Sequence, residues 1–291
     1  MQAHSQHAWN LSPGAAATLA CIYEATAPKP GNVHPDACFC DVSYADFVAS
    51  AVVIGPVFDR AHHVGVGATV LEAVRTTRIA TDTNTNLGTL LLLAPLAAVP
   101  TDARLSDGIQ SVLDRLTADD THRVYAAIRL SRAGGLGHAD KADVFAGAPT
   151  ELTLVEAMRL AAERDRVARQ YTNNFQDVFT GPAAWISSGV EHGWSLSDSI
   201  VHAHIRQMAA APDSLIRRKC GASVANESQQ RAGEVLAAGR PAEATYQHAL
   251  ADFDRWLRAD GHRRNPGTTA DLIAAGLFVL LREGRLHWSV W

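Results

Sequence analysis

The chain has 291 residues, 47% of them hydrophobic, and a formal net charge of −4. That length is ample for a sizeable core in one or two domains and does not imply a disulfide scaffold. The mild acidity excludes a nucleic-acid partner recognised by overall charge, so an anionic ligand would need local Lys or Arg, helix N-termini or a bridging cation. Cys21, Cys38, Cys40 and Cys220 lack zinc-like spacing, and Cys38-x-Cys40 reads as a pair of small loop residues. The polar start MQAHSQHAWN carries no signal-peptide pattern. The most apolar run, 87–99, is too short for a membrane span and contains Pro95. The expectation is a soluble cytoplasmic protein.

Almost every apolar segment has helical period. Ser12-Pro13 opens a helix that runs to about Thr26. Ser43 is the expected N-cap of a helix bearing Tyr44, Phe47, Val48 and Ala51. A third helix covers about 65–80 and carries Glu72 between apolar neighbours. Residues 87–99 form a helix buried on all sides. Ser106 is expected to cap the next, which presents Ile109, Val112, Leu113 and Leu116. Thr153-x-x-Glu156 is a capping box, predicting a long amphipathic helix to about Tyr171. Further helices are expected near 176–190, 197–211, 222–238, 242–259 and 269–282. No alternating strand or hairpin signal occurs, so the fold class is all-α, a single multi-helix globular domain over 1–291.

The chemistry sits in the polar segments between these helices. Residues 24–34 read EATAPKPGNVH. Pro28 and Pro30 hold Lys29 in extended geometry, and Gly31 permits a turn or a close ligand approach. A cation on a stiff loop suits a phosphate-rich ligand, although a helix-stop loop with a solvated Lys explains the same residues. Asn84, Asn86 and Gly88 precede the most hydrophobic helix, whose N-terminus offers free N–H groups to a phosphate or a sugar hydroxyl. Simple N-capping by Thr85 or Asn86 is the structural alternative. Gly134-Gly135 lies in a glycine turn. Thr268-x-x-Asp271 fits a capping-box-like start, with a carboxylate aimed at a cation or ribose as the functional alternative. Asp165, near the end of the long predicted helix, would be opposed by the dipole there, a mild sign of function. Carboxylates from different helices can converge on Mg²⁺.

Taken together, these stretches resemble the triphosphoribosyl-dephospho-CoA synthase family, in a divergent branch like those of methanogens and methylotrophs. The resemblance rests on Pro28-Lys29-Pro30-Gly31-Asn32-Val33-His34, followed by Asp41, Phe47 and Ser50-Ala51. It continues through Glu72, Asn84-Thr85-Asn86-Leu87-Gly88, Gly134-Gly135, Asp165 and Pro266-Gly267-Thr268-Thr269-Ala270-Asp271-Leu272. It implies an all-α transferase that joins the ribose of ATP to that of dephospho-CoA, releasing adenine and keeping the triphosphate. It implies catalytic roles for Glu72, Asp165 and Asp271. Substrate or phosphate contacts fall to Lys29, Gly31, Asn32, His34, Asn84, Asn86, Gly88, Gly134, Gly135 and Thr268. Mg²⁺ is the expected cofactor, held by Asp41, Glu72 and Asp165. The expected partner is a small-molecule nucleotide, with no nucleic acid and no membrane; self-association into a homo-oligomer stays open.

Asn86 and Leu87 stand where well-known members have His and Lys, which removes one phosphate contact. The alternative reading is therefore a related transferase in the biosynthesis of a C1-carrier cofactor of the tetrahydromethanopterin or methanofuran type. A Mg²⁺-dependent nucleotide-sugar hydrolase and a non-catalytic helical binding protein are further alternatives.

Overall fold

The computed structural model describes residues 11–81, 83–132 and 151–286. Among these the chain is helical, with no strand and only an isolated bridge between His34 and Ala37. The first helices are α1 (Pro13–Thr26), α2 (Tyr44–Phe58), the short α3 (Ala61–Val64), α4 (Val66–Thr81) and α5 (Leu87–Ala97). Then come α6 (Leu105–Leu113), α7 (Ala118–Ser131), α8 (Leu154–Arg159), α9 (Arg166–Gln170) and α10 (Gln176–Val178). A π-helical turn, Phe179–Ala183, leads into α11 (Ala184–Glu191). The remainder is α12 (Leu196–Ala210), α13 (Ser214–Cys220), α14 (Ala222–Ala237), α15 (Ala244–Arg258) and α16 (Gly267–Arg282).

The local signals act as the sequence suggests at several starts. Ser12 Oγ accepts from Ala15 N at 3.2 Å ahead of Pro13. Ser43 with Asp46 and Thr153 with Glu156 close capping boxes, satisfying N–H groups that a helix start leaves unpaired. Three expectations fail. Ser106 caps nothing: the N-cap position of α6 falls two residues earlier, at Arg104, and the Ser106 hydroxyl donates to Asp107. The long helix predicted from Thr153 ends at Arg159, and a second one starts at Arg166. Asp165 supplies that second start by accepting from Val167 N at 2.8 Å. The helix predicted near 176–190 is interrupted where Pro182 and a non-helical Gly181 make the π turn.

The core forms around α16 and α5, both apolar on nearly every face and buried along most of their length. α16 packs against α1, α5, α12 and the π turn, while α1–α2 and α2–α4–α7 extend the main core. A second apolar cluster, including Ile205, Met208, Tyr246, Phe253 and Leu257, joins α12 to α14 and α15. α15 fixes the Pro-rich loop after α1. Asp254 Oδ1 accepts from Gly31 N at 2.7 Å, and Arg258 donates to Asn32 O at 2.6 Å. Gly31 has φ of 74°, and a Cβ there would meet Leu257 and Pro266 at 2.9 Å, so this turn requires glycine. No helix among the described residues is long and apolar enough to cross a membrane.

Candidate active site

One cavity of about 580 Å³ opens where the C-terminal turn of α1 meets the start of α5 and the first turns of α16. That volume lies within the usual range for a small-molecule site. Glu24, Asn32, Asn84, Asn86, Gly88 and Asp271 all line it, so segments from both ends of the chain converge.

Asp271 lies inside α16, beyond its first turn. The expected capping box does not form: Pro266 occupies the N-cap position, and its own side chain makes no cap. Thr268 Oγ1 instead accepts from Ser214 Oγ at 3.0 Å. The start of α16 is held by Asp213, whose Oδ2 accepts from both the amide and the hydroxyl of Thr269 at 2.7 Å. Asp271 therefore has no capping duty. Its Oδ1 accepts from Thr89 Oγ1 at 2.7 Å, across to α5. Burial pushes the Asp271 carboxyl up to about 8 against that hydrogen bond, and the charges of Glu24, Asp213 and Asp165 add to the rise.

Glu24 sits in the last turn of α1, where the helix dipole disfavours an acid. It is stabilised by Lys29, whose Nζ lies 2.9 Å from Glu24 Oε1 and also bonds Ala27 O at 3.2 Å and Glu24 O. Lys29 is fully buried and does not line the cavity, which corrects its expected contact with phosphate. The two prolines aim it back under α1, where it neutralises Glu24. His204 on α12 is buried nearby without a hydrogen-bond partner. Burial, reinforced by the Lys29 charge, pushes the His204 imidazole well below its usual range.

The start of α5 is also unlike a simple cap. Asn84 Oδ1 accepts from Leu87 N at 3.3 Å, while Asn86, at the N-cap position, makes no side-chain cap. Asn86 Nδ2 is buried without a partner, as is Asn32 Oδ1, although Asn32 Nδ2 donates to Asn265 at 3.0 Å. A donor and an acceptor orphaned beside one cavity are groups that a ligand can satisfy. Gly88 lets α16 come close: a Cβ on it would lie 2.0 Å from Asp271 Oδ2.

Other expected site residues fall elsewhere. Glu72 is exposed on α4, 3.8 Å from Arg75, in a separate shallow groove, because its face of the helix turns away from α1 and α16. Gly31 and His34 do not line the cavity. His34 exchanges backbone bonds with Ala37 at 3.0 Å, and burial with the Arg258 charge lowers its imidazole. Asp165 lines the cavity, but one carboxylate oxygen caps α9 and the other is ion-paired with Arg218. Its position at a helix start is favourable, which removes the dipole argument for function. Asp41 lines the mouth beside His262. The expected Mg²⁺ set of Asp41, Glu72 and Asp165 thus does not converge. Gly134 and Gly135 lie outside the described residues.

The cationic wall comes from residues that the sequence did not single out: Arg132, Arg164, Arg218 and Lys219. Lys219 is half-buried, and burial lowers its ammonium. α13 carries Arg217, Arg218 and Lys219 in its last turn, where the dipole favours them, so they read as ordinary helix-end charges. Glu24 alone left a signal, an acid at a helix C-terminus beside a Pro-flanked Lys.

A family model described as ATP:dephospho-CoA triphosphoribosyl transferase matches residues 10–290. The chain belongs to this family. It is also similar to a crystal structure from Archaeoglobus fulgidus that is provisionally described as a triphosphoribosyl-dephospho-CoA synthase. The two share 25% sequence identity and a TM-score of 0.63, covering 81% of this chain and 99% of that one. No curated protein matches the sequence. Membership in the triphosphoribosyl transferase family makes this chain an all-α transferase. The C1-carrier, hydrolase and binding-protein readings gain no support over it.

Proposed function

We propose that this protein transfers the triphosphoribosyl group of ATP to dephospho-CoA and releases adenine. The observation that carries the reading, within this family, is Asp271. It is a carboxyl held protonated near neutrality, facing a cavity that also presents Glu24 and two unsatisfied amide groups. A raised carboxyl beside a second carboxyl paired with Lys29, both on one cavity, suits paired proton transfers.

In the reaction, the bond between C1 of the ATP ribose and adenine breaks, and a ribose hydroxyl of dephospho-CoA bonds to C1. The proton lost by the hydroxyl is balanced by the one gained by adenine. Asp271 gives its proton to adenine as it leaves. Glu24, set against Lys29, accepts the proton of the attacking hydroxyl and stabilises the oxocarbenium-like centre. Proton exchange with solvent then resets the two carboxyls. Lys219, Arg164 and Arg132, with the start of α5 and Asn86 Nδ2, face the triphosphate.

Mg²⁺ usually contacts one or two carboxylates and substrate phosphates. Glu24 and the unpartnered Asn32 Oδ1 fit that role and would hold it. When bound, the ion would neutralise phosphate charge as the triphosphate is positioned.

The test is adenine release from ATP and Mg²⁺, followed by chromatography with and without dephospho-CoA. Acceptor-dependent adenine release with a product of the summed mass supports the proposal. Release of free triphosphoribose without acceptor would replace it with hydrolysis, and no release under either condition would overturn it.

A further inference from the structure

We propose that Cys40, Asp41 and His262 form a binding site for a zinc-class divalent transition ion at the mouth of the cavity. One thiol sulfur, one carboxylate oxygen and one imidazole nitrogen from these residues all lie within 4.8 Å of one another. Asp41 Oδ1 and His262 Nδ1 are 3.6 Å apart. Tetrahedral bonds of about 2.0–2.3 Å place neighbouring donors roughly 3.3–3.7 Å from each other. The carboxylate and imidazole are therefore already at ligating separation, and the Cys40 sulfur lies within 4.8 Å of both.

The two segments are held in place independently of any ion. Phe39 N donates to Val42 O at 3.0 Å, closing the loop that has Cys40 and Asp41 at its tip. The Phe39 ring packs on the His262 ring with centroids 5.4 Å apart. Asn265 N donates to His262 O at 3.3 Å, fixing the turn after α15. The sequence alone hid the cluster, because Cys38-x-Cys40 has no zinc spacing and His262 joins from the far end of the chain.

The donor chemistry names the ligand class. Thiolate and imidazole are borderline-soft donors that favour Zn²⁺, Co²⁺ or Fe²⁺ over Mg²⁺. Three protein ligands leave a tetrahedral ion one open position. Asp41 and His262 both line the cavity, so that position faces it and accepts water or a phosphate oxygen. This site is separate from the Glu24–Asn32 pair assigned to Mg²⁺, and it stands whether or not the transfer reaction does.

The experiment is a Co²⁺ titration of the full chain, stripped by chelator and kept reduced with a phosphine. The expected result is a thiolate-to-cobalt charge-transfer band that saturates at about one equivalent, persists in excess Mg²⁺ and is lost on adding Zn²⁺. Cys40→Ser removes the band, His262→Asn weakens binding by roughly tenfold or more, and Cys38→Ser leaves both unchanged. Circular dichroism confirms that each variant is folded. Absence of the band in excess Co²⁺, or its survival in folded Cys40→Ser, would overturn the proposal. Loss of the band in Cys38→Ser with retention in Cys40→Ser would do so too.

Discussion

Gly88 on α5 touches the carboxylate of Asp271 on α16, so closely that a methyl group cannot be placed between them. Helix α5 thereby brings Thr89 onto Asp271 Oδ1 and leaves Oδ2 under its first turn. Gly88→Ala should displace the Asp271 side chain or part α5 from α16. Overpacking of this kind costs about 1–3 kcal/mol. We expect a lower Tm together with reduced adenine release. Wild-type Tm and rate in Gly88→Ala would show that the contact is slack.

Asp271 ties stability and activity to pH. Its carboxyl is raised to about 8 in the folded protein, from an ordinary value of 3.8. The folded state therefore holds a proton that the unfolded chain has released between these values. The contribution is fully present below the ordinary carboxylate range and is lost as pH rises through about 8. Tm should fall as pH rises from about 4 to about 8 and level off above that, and the fall should be shallower in Asp271→Asn. Adenine release should also decline above pH 8, and Asp271→Asn should lose it while staying folded. An active Asp271→Asn protein with an unchanged pH profile would remove Asp271 from proton transfer.

Lys29 acts on the fold through Glu24. The pair is buried, so Lys29→Ala leaves an uncompensated carboxylate, and breaking such a pair costs about 3–5 kcal/mol. Chemical denaturation should show this loss, and Glu24→Gln in the Lys29→Ala background should recover part of it. A triphosphate ligand would behave differently, raising the KM for ATP at unchanged stability.

Lys219 and Glu72 form a contrasting pair. Lys219 lines the cavity and should contact the triphosphate, so Lys219→Gln should weaken ATP binding by about ten- to a hundredfold. Glu72 is exposed and only loosely paired with Arg75. Glu72→Gln should leave the KM for ATP and the turnover unchanged. Equal effects from the two substitutions would argue against this cavity as the nucleotide site.

Leu87 occupies the position where well-known family members carry Lys. A solvated site would accept Lys there without cost, but Leu87 is 8% exposed and belongs to the main core. Leu87→Lys should lower the Tm even if the added charge improves affinity for ATP. Thermal melts with and without the nucleotide separate the two effects.

Helical period, Ala- and Leu-rich segments and capping residues determined the all-α class and most helix positions, because those signals act within a turn or two of the chain. The same local reading placed Asn84, Asn86, Gly88 and Asp271 in polar segments that do meet at one cavity. It failed where a residue's partner is distant in sequence. Pro28 and Pro30 marked Lys29 as special, but only the fold of α1 over its own loop turned the ammonium inward to Glu24. Thr268-x-x-Asp271 looked like a cap because local spacing cannot show Asp213 reaching Thr269 from the N-cap of α13. Glu72 and Asp165 have similar local surroundings to cavity carboxylates, and packing alone sent one to an exposed groove and the other to the start of α9. Cys40, Asp41 and His262 carry no sequence signal as a group, since a ligand set is a matter of distance and the chain brings them together only when α15 closes over the Pro-rich loop.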